Sequence, residues 1–153
     1  METNHIKIMR IDDRLIHGQV IVSWLPVLSV STLAVANEKI ASDLMRQEMM
    51  TISVPSDIEL VFFPPNAVKK LPEDTLLLVS SPRDAWQCIQ SGIKPVKLNV
   101  GGMHARPGKT ELLEALHLDN EDREYFARLI DGGNIPFFQP TPKNNTVFLS
   151  DIL

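Results

Sequence analysis

With 153 residues and a hydrophobic fraction of 44%, the chain carries enough apolar material to close one ordinary domain without disulfides or structural metals, and residues 1–153 read as a single domain. A formal net charge of -4 argues against a general affinity for nucleic-acid phosphates or anionic lipid, so no nucleic-acid partner is expected. The lone Cys88 excludes an internal disulfide, and no apolar run reaches the roughly 18 residues of a membrane span or forms a signal-peptide core, which gives the expectation of a soluble, cytoplasmic protein.

Short β-rich runs alternate with amphipathic ones, the pattern of an α/β fold with a doubly wound, mostly parallel open sheet and helices on both faces. The first strand is expected at 6–11 (IKIMRI), followed by a polar loop and an apolar segment at 18–28 that reads as helix until Pro26 interrupts it. A second strand at 32–37 ends on Asn37 and leads into a helix over 38–50, where Ile40, Leu44 and Met45 share one face. Strands at 57–64 and 74–80 follow, joined by a short helix near 65–71. Ser81, Pro82 and Asp84 then supply a cap, a first-turn proline and an acidic first turn for the next helix, and Cys88 falls on its apolar side as a reduced core thiol. Residues 96–100 (VKLNV) read as strand, 101–110 (GGMHARPGKT) as a glycine-rich basic loop, and 120–131 as a helix capped by Asp119 and stopped by Gly132 and Gly133. A last strand is expected at 135–140, and the residues after it, 146–153, have no assigned type.

Ligands of doubly wound sheets gather at the carboxyl ends of the strands. That places Asp12, Asp13, Arg14, His17, Asn37, Ser80, Ser81, Gly101 and Gly102 together. His17 is the sharpest of these, because a neutral imidazole near pH 7 can attack phosphorus and form a phosphoimidazole, although an isolated loop histidine more often only holds its loop. A phosphoryl group on it brings roughly two negative charges, which the amides opening the helix at Gly18 and the planar donors of Arg14 suit. The carboxylates would repel such a group if left bare, so one of Asp12 and Asp13 is expected to fix an imidazole nitrogen and the other to hold Arg10 or Arg14; simple loop capping explains them as economically. Ser80 and Ser81 are candidates to contact phosphoryl oxygens from the far side, although helix capping alone accounts for Ser81. His5, His104 and His117 lack ligand-like spacing with one another or with Cys88, so no metal site is expected. Trp24 is expected to be buried.

RIDDRLIHGQV at 10–20, followed by NVGGM at 99–103 and GKT at 108–110, resembles the cytoplasmic IIB component of the mannose, fructose and sorbose family of the bacterial sugar phosphotransferase system. The likeness runs over essentially the whole chain, including the Ala36–Asn37 strand end, the Ser-Pro junction at 81–82 and the acidic cap near the end. The resemblance implies a phosphotransferase that takes a phosphoryl group from a phosphohistidine of a IIA protein and passes it to an imported sugar, beside a membrane IIC/IID permease. It implies that His17 is the carrier, through Nδ1 in the family's usual form, with Arg14 assisting transfer and Asp12 and Asp13 as the acidic pair. Gly18, Gln19, Ser80 and Ser81 complete the expected phosphate-binding set, and no cofactor is implied. The sugar and the oligomeric state, a homo-oligomer included, stay open.

Two other classes fit less well. A signalling receiver domain needs an aspartate ending its third strand, where this chain has LVFFPP, and the Gly-Lys-Thr triplet lacks the upstream spacing of a P-loop, which excludes an ATPase. A non-catalytic sugar-binding or regulatory module of the same fold is the alternative that remains.

Overall fold

The computed structural model describes residues 4–18 and 20–153. A seven-stranded sheet runs in the order β3-β2-β4-β1-β5-β8-β9. Its strands are β1 (Asn4–Asp12), β2 (Thr32–Ala36), β3 (Glu59–Phe63), β4 (Thr75–Val79), β5 (Ile93–Gly102), β8 (Phe137–Phe138) and β9 (Val147–Phe148); β6 (Thr110–Leu113) and β7 (Leu116–Leu118) form a separate antiparallel hairpin. Every pairing in the large sheet is parallel except the last, β8 with β9. A sheet covered on both faces needs apolar side chains at every position, and β2 and β4 are buried throughout.

Alternate residues of one strand feed opposite faces. Leu77 and Val79 of β4 join a core that α4 (Pro82–Gln90) and α5 (Asn120–Asp131) close with Ala85, Cys88, Phe126 and Leu129. Leu76 and Leu78 join a second core with Val20, Leu33, Val35 and Ile40, the last from α2 (Glu38–Ala41). The fold is therefore doubly wound, as the alternation of segments predicts. Because β1 is flanked by β4 and β5, the segments leaving β1 and β4 cover opposite faces, and the crevice between their carboxyl ends receives both the 12–17 loop and Ser80–Ser81.

Several expected elements differ. Helix 38–50 is two helices, α2 and α3 (Leu44–Ser53): Asn37 Oδ1 caps the first by accepting from the Ile40 amide at 3.1 Å, and Asp43 Oδ1 caps the second through the Arg46 amide at 3.1 Å. This break turns Leu44 and Met45 outward, 76% and 73% exposed, so of the predicted face only Ile40 is buried. No helix forms at 65–71, where consecutive prolines leave a turn closed by the Ala67 amide on the Pro64 carbonyl at 3.0 Å. Pro26 does not interrupt its helix: a π-helical turn (Val20–Trp24) runs into α1 (Leu25–Leu28), where Pro26 sits in the first turn and a missing N–H costs nothing. Trp24 and Cys88 are buried as expected. The unassigned end forms β9 and a 3₁₀ turn (Leu149–Asp151). Among the described residues no helix is long and apolar enough to cross a membrane.

The start of α5 is held by a reciprocal box: Asp119 Oδ1 accepts the Asp122 amide at 2.8 Å and Asp122 Oδ2 accepts the Asp119 amide at 3.1 Å. Asp119→Ala should cost about 1 kcal/mol. Urea unfolding is expected to show a lower midpoint with an unchanged slope.

Candidate functional site

β1 ends in a tight turn because the Leu15 amide donates back to the Asp12 carbonyl at 3.0 Å and the Asp13 amide donates to the Gly102 carbonyl at 3.1 Å. Leu15 takes a left-handed conformation, φ 57°, which a leucine adopts only at some energetic cost; its side chain, buried in the second core, holds it there. The turn brings the backbone and side chains of residues 14–17 over the end of β1, above Asp12.

Asp12 is fully buried and every contact to it comes from a donor. Its Oδ1 accepts the Arg14 amide at 3.0 Å and Arg14 Nε at 3.2 Å; its Oδ2 accepts Arg10 Nη2 at 3.1 Å, Arg14 Nη2 at 3.3 Å and lies 2.8 Å from His17 Nε2. Burial alone would push this carboxyl up, yet the hydrogen bonds from His17 and Arg14 hold it well below the usual carboxylate range. An ionised carboxylate only accepts, so Nε2 of His17 carries the hydrogen and the neutral ring has its lone pair on Nδ1. The His17 side chain is 14% exposed and Arg14 41%, so both reach the surface above a buried anion.

Arg10 lies beneath them, 1% exposed. Its Nη1 donates to Asn99 Oδ1 at 2.6 Å and to the Gln139 carbonyl at 3.4 Å, its Nη2 donates to the Pro140 carbonyl at 3.0 Å, and its guanidinium carbon sits 5.3 Å from the centre of the Trp24 ring. Trp24 Nε1 donates to the same Pro140 carbonyl at 2.8 Å. Burial lowers the Arg10 pKa to about 10, against the opposing pull of Asp12, so the group stays a cation at neutral pH. Gly101 makes room for it: a Cβ there would lie 2.0 Å from Arg10 Cζ.

Of the expected division of labour between the aspartates, one carboxylate does both tasks: Asp12 fixes the His17 ring and holds both arginines. Asp13 instead turns to His104, accepting its amide at 2.7 Å on Oδ2 and facing its Nδ1 at 2.6 Å from Oδ1. His104, Arg14 Nη2 and Asp12 Oδ2 all border the position a Cβ of Gly102 would take, at 2.9, 3.4 and 3.6 Å. Asp12, Asp13 and His104 bring ligand-type atoms within 4.8 Å of one another, but a cation there would displace guanidinium groups that already serve Asp12. Arg10 enters the sequence reading only as an expected partner of an aspartate, which it is, and His104, Asn99 and Trp24 are not candidates there for this cluster; the neighbouring NVGG and the arginine opening the motif are the signals that point to it.

Gly18 is exposed, with open space at its Cβ position, and Gln19 lies outside the described residues. Ser80 accepts from Asn37 Nδ2 at 3.3 Å and donates to Asp84 Oδ2 at 3.0 Å, while Ser81 Oγ accepts the Asp84 amide at 3.1 Å, capping α4 as the sequence predicts. Burial pushes the Asp84 carboxyl upward despite the hydroxyl of Ser80 and the charge of Arg83. Ser80, Asn37 and Asp13 line one open cleft of about 590 Å³ together with Arg46 and Arg106. Asp13, Asn37 and Ser80 of the expected set thus share one cleft that His17, Arg14 and Ser81 do not line, and both serine hydroxyls are engaged by Asp84 of their own helix.

Residues 6–153 match the family described as the sorbose-subfamily IIB component of the phosphotransferase system. The chain is 35% identical over 131 residues to the mannose-specific EIIAB component of Escherichia coli K12, covering 81% of this chain but 41% of that relative's length. It is 31% identical over 134 residues to the sorbose-specific EIIB component of Klebsiella pneumoniae, covering 81% of this chain and 80% of that one. Among solved structures, the IIB domain of the Klebsiella pneumoniae sorbose permease superposes with a TM-score of 0.87 at 29% identity over 96% of this chain and 94% of its own. An N-acetylgalactosamine IIB component from Streptococcus pyogenes superposes with a TM-score of 0.89 at 26% identity over 100% of both chains.

Because the Asp12 carboxyl is depressed in the fold, its stabilising contribution is complete above its unfolded value of about 4 and is lost as pH falls toward the folded value. Asp12→Asn, which also leaves Arg10 buried without its anion, should cost about 3 kcal/mol at pH 7. In urea unfolding, the difference between parent and variant should shrink steadily as pH is lowered below about 4.

Proposed function

The chain belongs to the sorbose-subfamily IIB family of the phosphotransferase system, and from that premise we propose that it is a phosphoryl carrier acting through His17 in sugar uptake. The observation that supports this reading most is the 2.8 Å contact between His17 Nε2 and a carboxylate that cannot donate, because it directs the ring's lone pair to Nδ1.

In the proposed reaction the Nδ1 lone pair attacks the phosphorus of a phosphohistidine on a IIA protein. The new P–N bond forms as the donor's P–N bond breaks, and the electron pair of that bond returns to the donor imidazole. In the second half a hydroxyl of the imported sugar attacks the same phosphorus, the P–Nδ1 bond breaks with its electron pair returning to Nδ1, and the hydroxyl's proton passes to water. His17 is then restored for another cycle. In this reading Arg14, tethered on Asp12 by Nε and Nη2 and 41% exposed, donates to the phosphoryl oxygens as charge moves between nitrogen and oxygen. Asp12 orients the ring and balances the imidazolium character it gains once phosphorylated. Asp13, through His104, fixes the loop after β5 against the loop after β1. Gly18 and Gln19 follow His17 directly and are assigned to the phosphoryl surroundings with Ser80 and Ser81 at the neighbouring strand end.

In this reading residues 1–153 form one phosphocarrier domain on the cytoplasmic side, meeting a IIA donor and a membrane IIC/IID permease in turn. Positioning supplies the catalysis, since the incoming phosphoryl already sits on nitrogen.

Labelling with a phosphorylated IIA donor tests it. The label should be lost in acid and retained in base, and His17→Gln should accept none while keeping its fold by circular dichroism; a labelled His17→Gln protein would refute the assignment. Arg14→Ala should slow transfer by about a hundredfold without unfolding the protein, a few kcal/mol of barrier. Single-turnover rates measure it.

A further inference from the structure

Arg10, like Asp12, lies beneath the surface of the cluster, yet it has the most elaborate setting. It is 1% exposed, four acceptors take its terminal nitrogens, and Trp24 covers its face. Its Nε is the one buried side-chain nitrogen or oxygen among the described residues with no hydrogen-bond partner. Leaving such a group unpaired, and reserving Gly101 to clear its path, are costs that a purely structural role would avoid with an apolar side chain of similar volume. Arg10 and His17 meet on one atom, Asp12 Oδ2, at 3.1 and 2.8 Å.

We propose that Arg10 is a positioning residue for phosphoryl transfer: its buried guanidinium fixes Asp12 and offsets its charge, so that Asp12 orients the His17 ring without drawing a second proton onto it. The inference rests on the carrier reading above. An anion 2.8 Å from an imidazole favours the imidazolium, which has no lone pair for phosphorus; a permanent cation on the same oxygen weakens that pull. Among the described residues, the charged and titratable groups facing this side of the ring include Asp12 beneath it, Arg10 and Arg14 on that carboxylate from β1 and its turn, and Asp13 of the same turn paired with His104 from the loop after β5. Two guanidiniums and one carboxylate leave the unphosphorylated cluster with one excess positive charge on the Asp12 side, which also suits an arriving phosphoryl dianion.

The test compares the parent with Arg10→Met and Arg10→Lys. Ring-proton NMR follows the titration of His17, which needs no phosphodonor, and single-turnover labelling from a phosphorylated IIA donor follows acceptance across pH. In Arg10→Met the His17 midpoint and the acid limb of the acceptance profile should both move up by about one pH unit, roughly tenfold slower acceptance on that limb. Arg10→Lys should restore most of the shift. A lowered rate with an unmoved midpoint would overturn the proposal and make Arg10 a structural residue only. Should Arg10→Met fail to fold, the parent decides: the Arg10 guanidinium resonances should shift when His17 is phosphorylated, and unmoved resonances would overturn the proposal. A parent that takes no label at all defeats the carrier reading instead, while the His17 titrations still judge the role of Arg10.

Discussion

The buried carboxylate of Asp12 is the constraint that organises this end of the molecule. A charge taken out of water survives only when donors and cations surround it, and here the turn after β1, two arginines and one imidazole are all arranged to do so. The requirement spreads outward. Arg10 must itself be satisfied, which recruits Asn99 from β5 and the carbonyls of Gln139 and Pro140 beyond β8, and its passage needs a residue with no side chain at position 101. The carboxyl ends of three neighbouring strands are thereby tied to one anion. His17 and Arg14 are the members of that assembly that reach the surface.

The chemistry that follows is one of orientation. His17 Nε2 is committed to Asp12, so in the proposed carrier role the reacting nitrogen is chosen by a hydrogen bond rather than by the intrinsic preference of imidazole. Arg14 is tethered to the anchor by Nε and Nη2 while its side chain is 41% exposed, which in the proposed role keeps it pre-placed for a charged group arriving on the ring. Nearby, Asp13 and His104 repeat a carboxylate–imidazole pair at 2.6 Å, but with both loops' backbones engaged, and they serve as the clasp between the β1 and β5 ends.

The parts of this arrangement legible in the sequence were those written in local signals. Alternating segments gave the doubly wound sheet, Ser81-Pro82 with Asp84 marked the start of α4, Asp119 and the Gly132–Gly133 pair bounded α5, and the density of charge around His17 marked the site. What stayed hidden depends on distance or on a turn without a signature. The carbonyls of Gln139 and Pro140 that hold Arg10 lie about 130 residues away along the chain, so no spacing announces them. The β6–β7 hairpin turns at Glu114–Ala115, where Ala115 has φ 64° in a place usually given to glycine or asparagine. The break at Ser42 between α2 and α3 was masked by an apolar spacing that continues across it, although Asp43 is a legitimate cap. The split roles of Asp12 and Asp13 were beyond reach because adjacent carboxylates on a turning chain point in different directions.

The central claim is that Asp12 commits Nε2 of His17 and leaves Nδ1 to carry phosphorus. Nitrogen-15 NMR of the phosphorylated protein, with the histidine ring labelled, reports directly which nitrogen is coupled to phosphorus. Coupling at Nδ1, with Nε2 still protonated, is the predicted result; coupling at Nε2 would contradict the account.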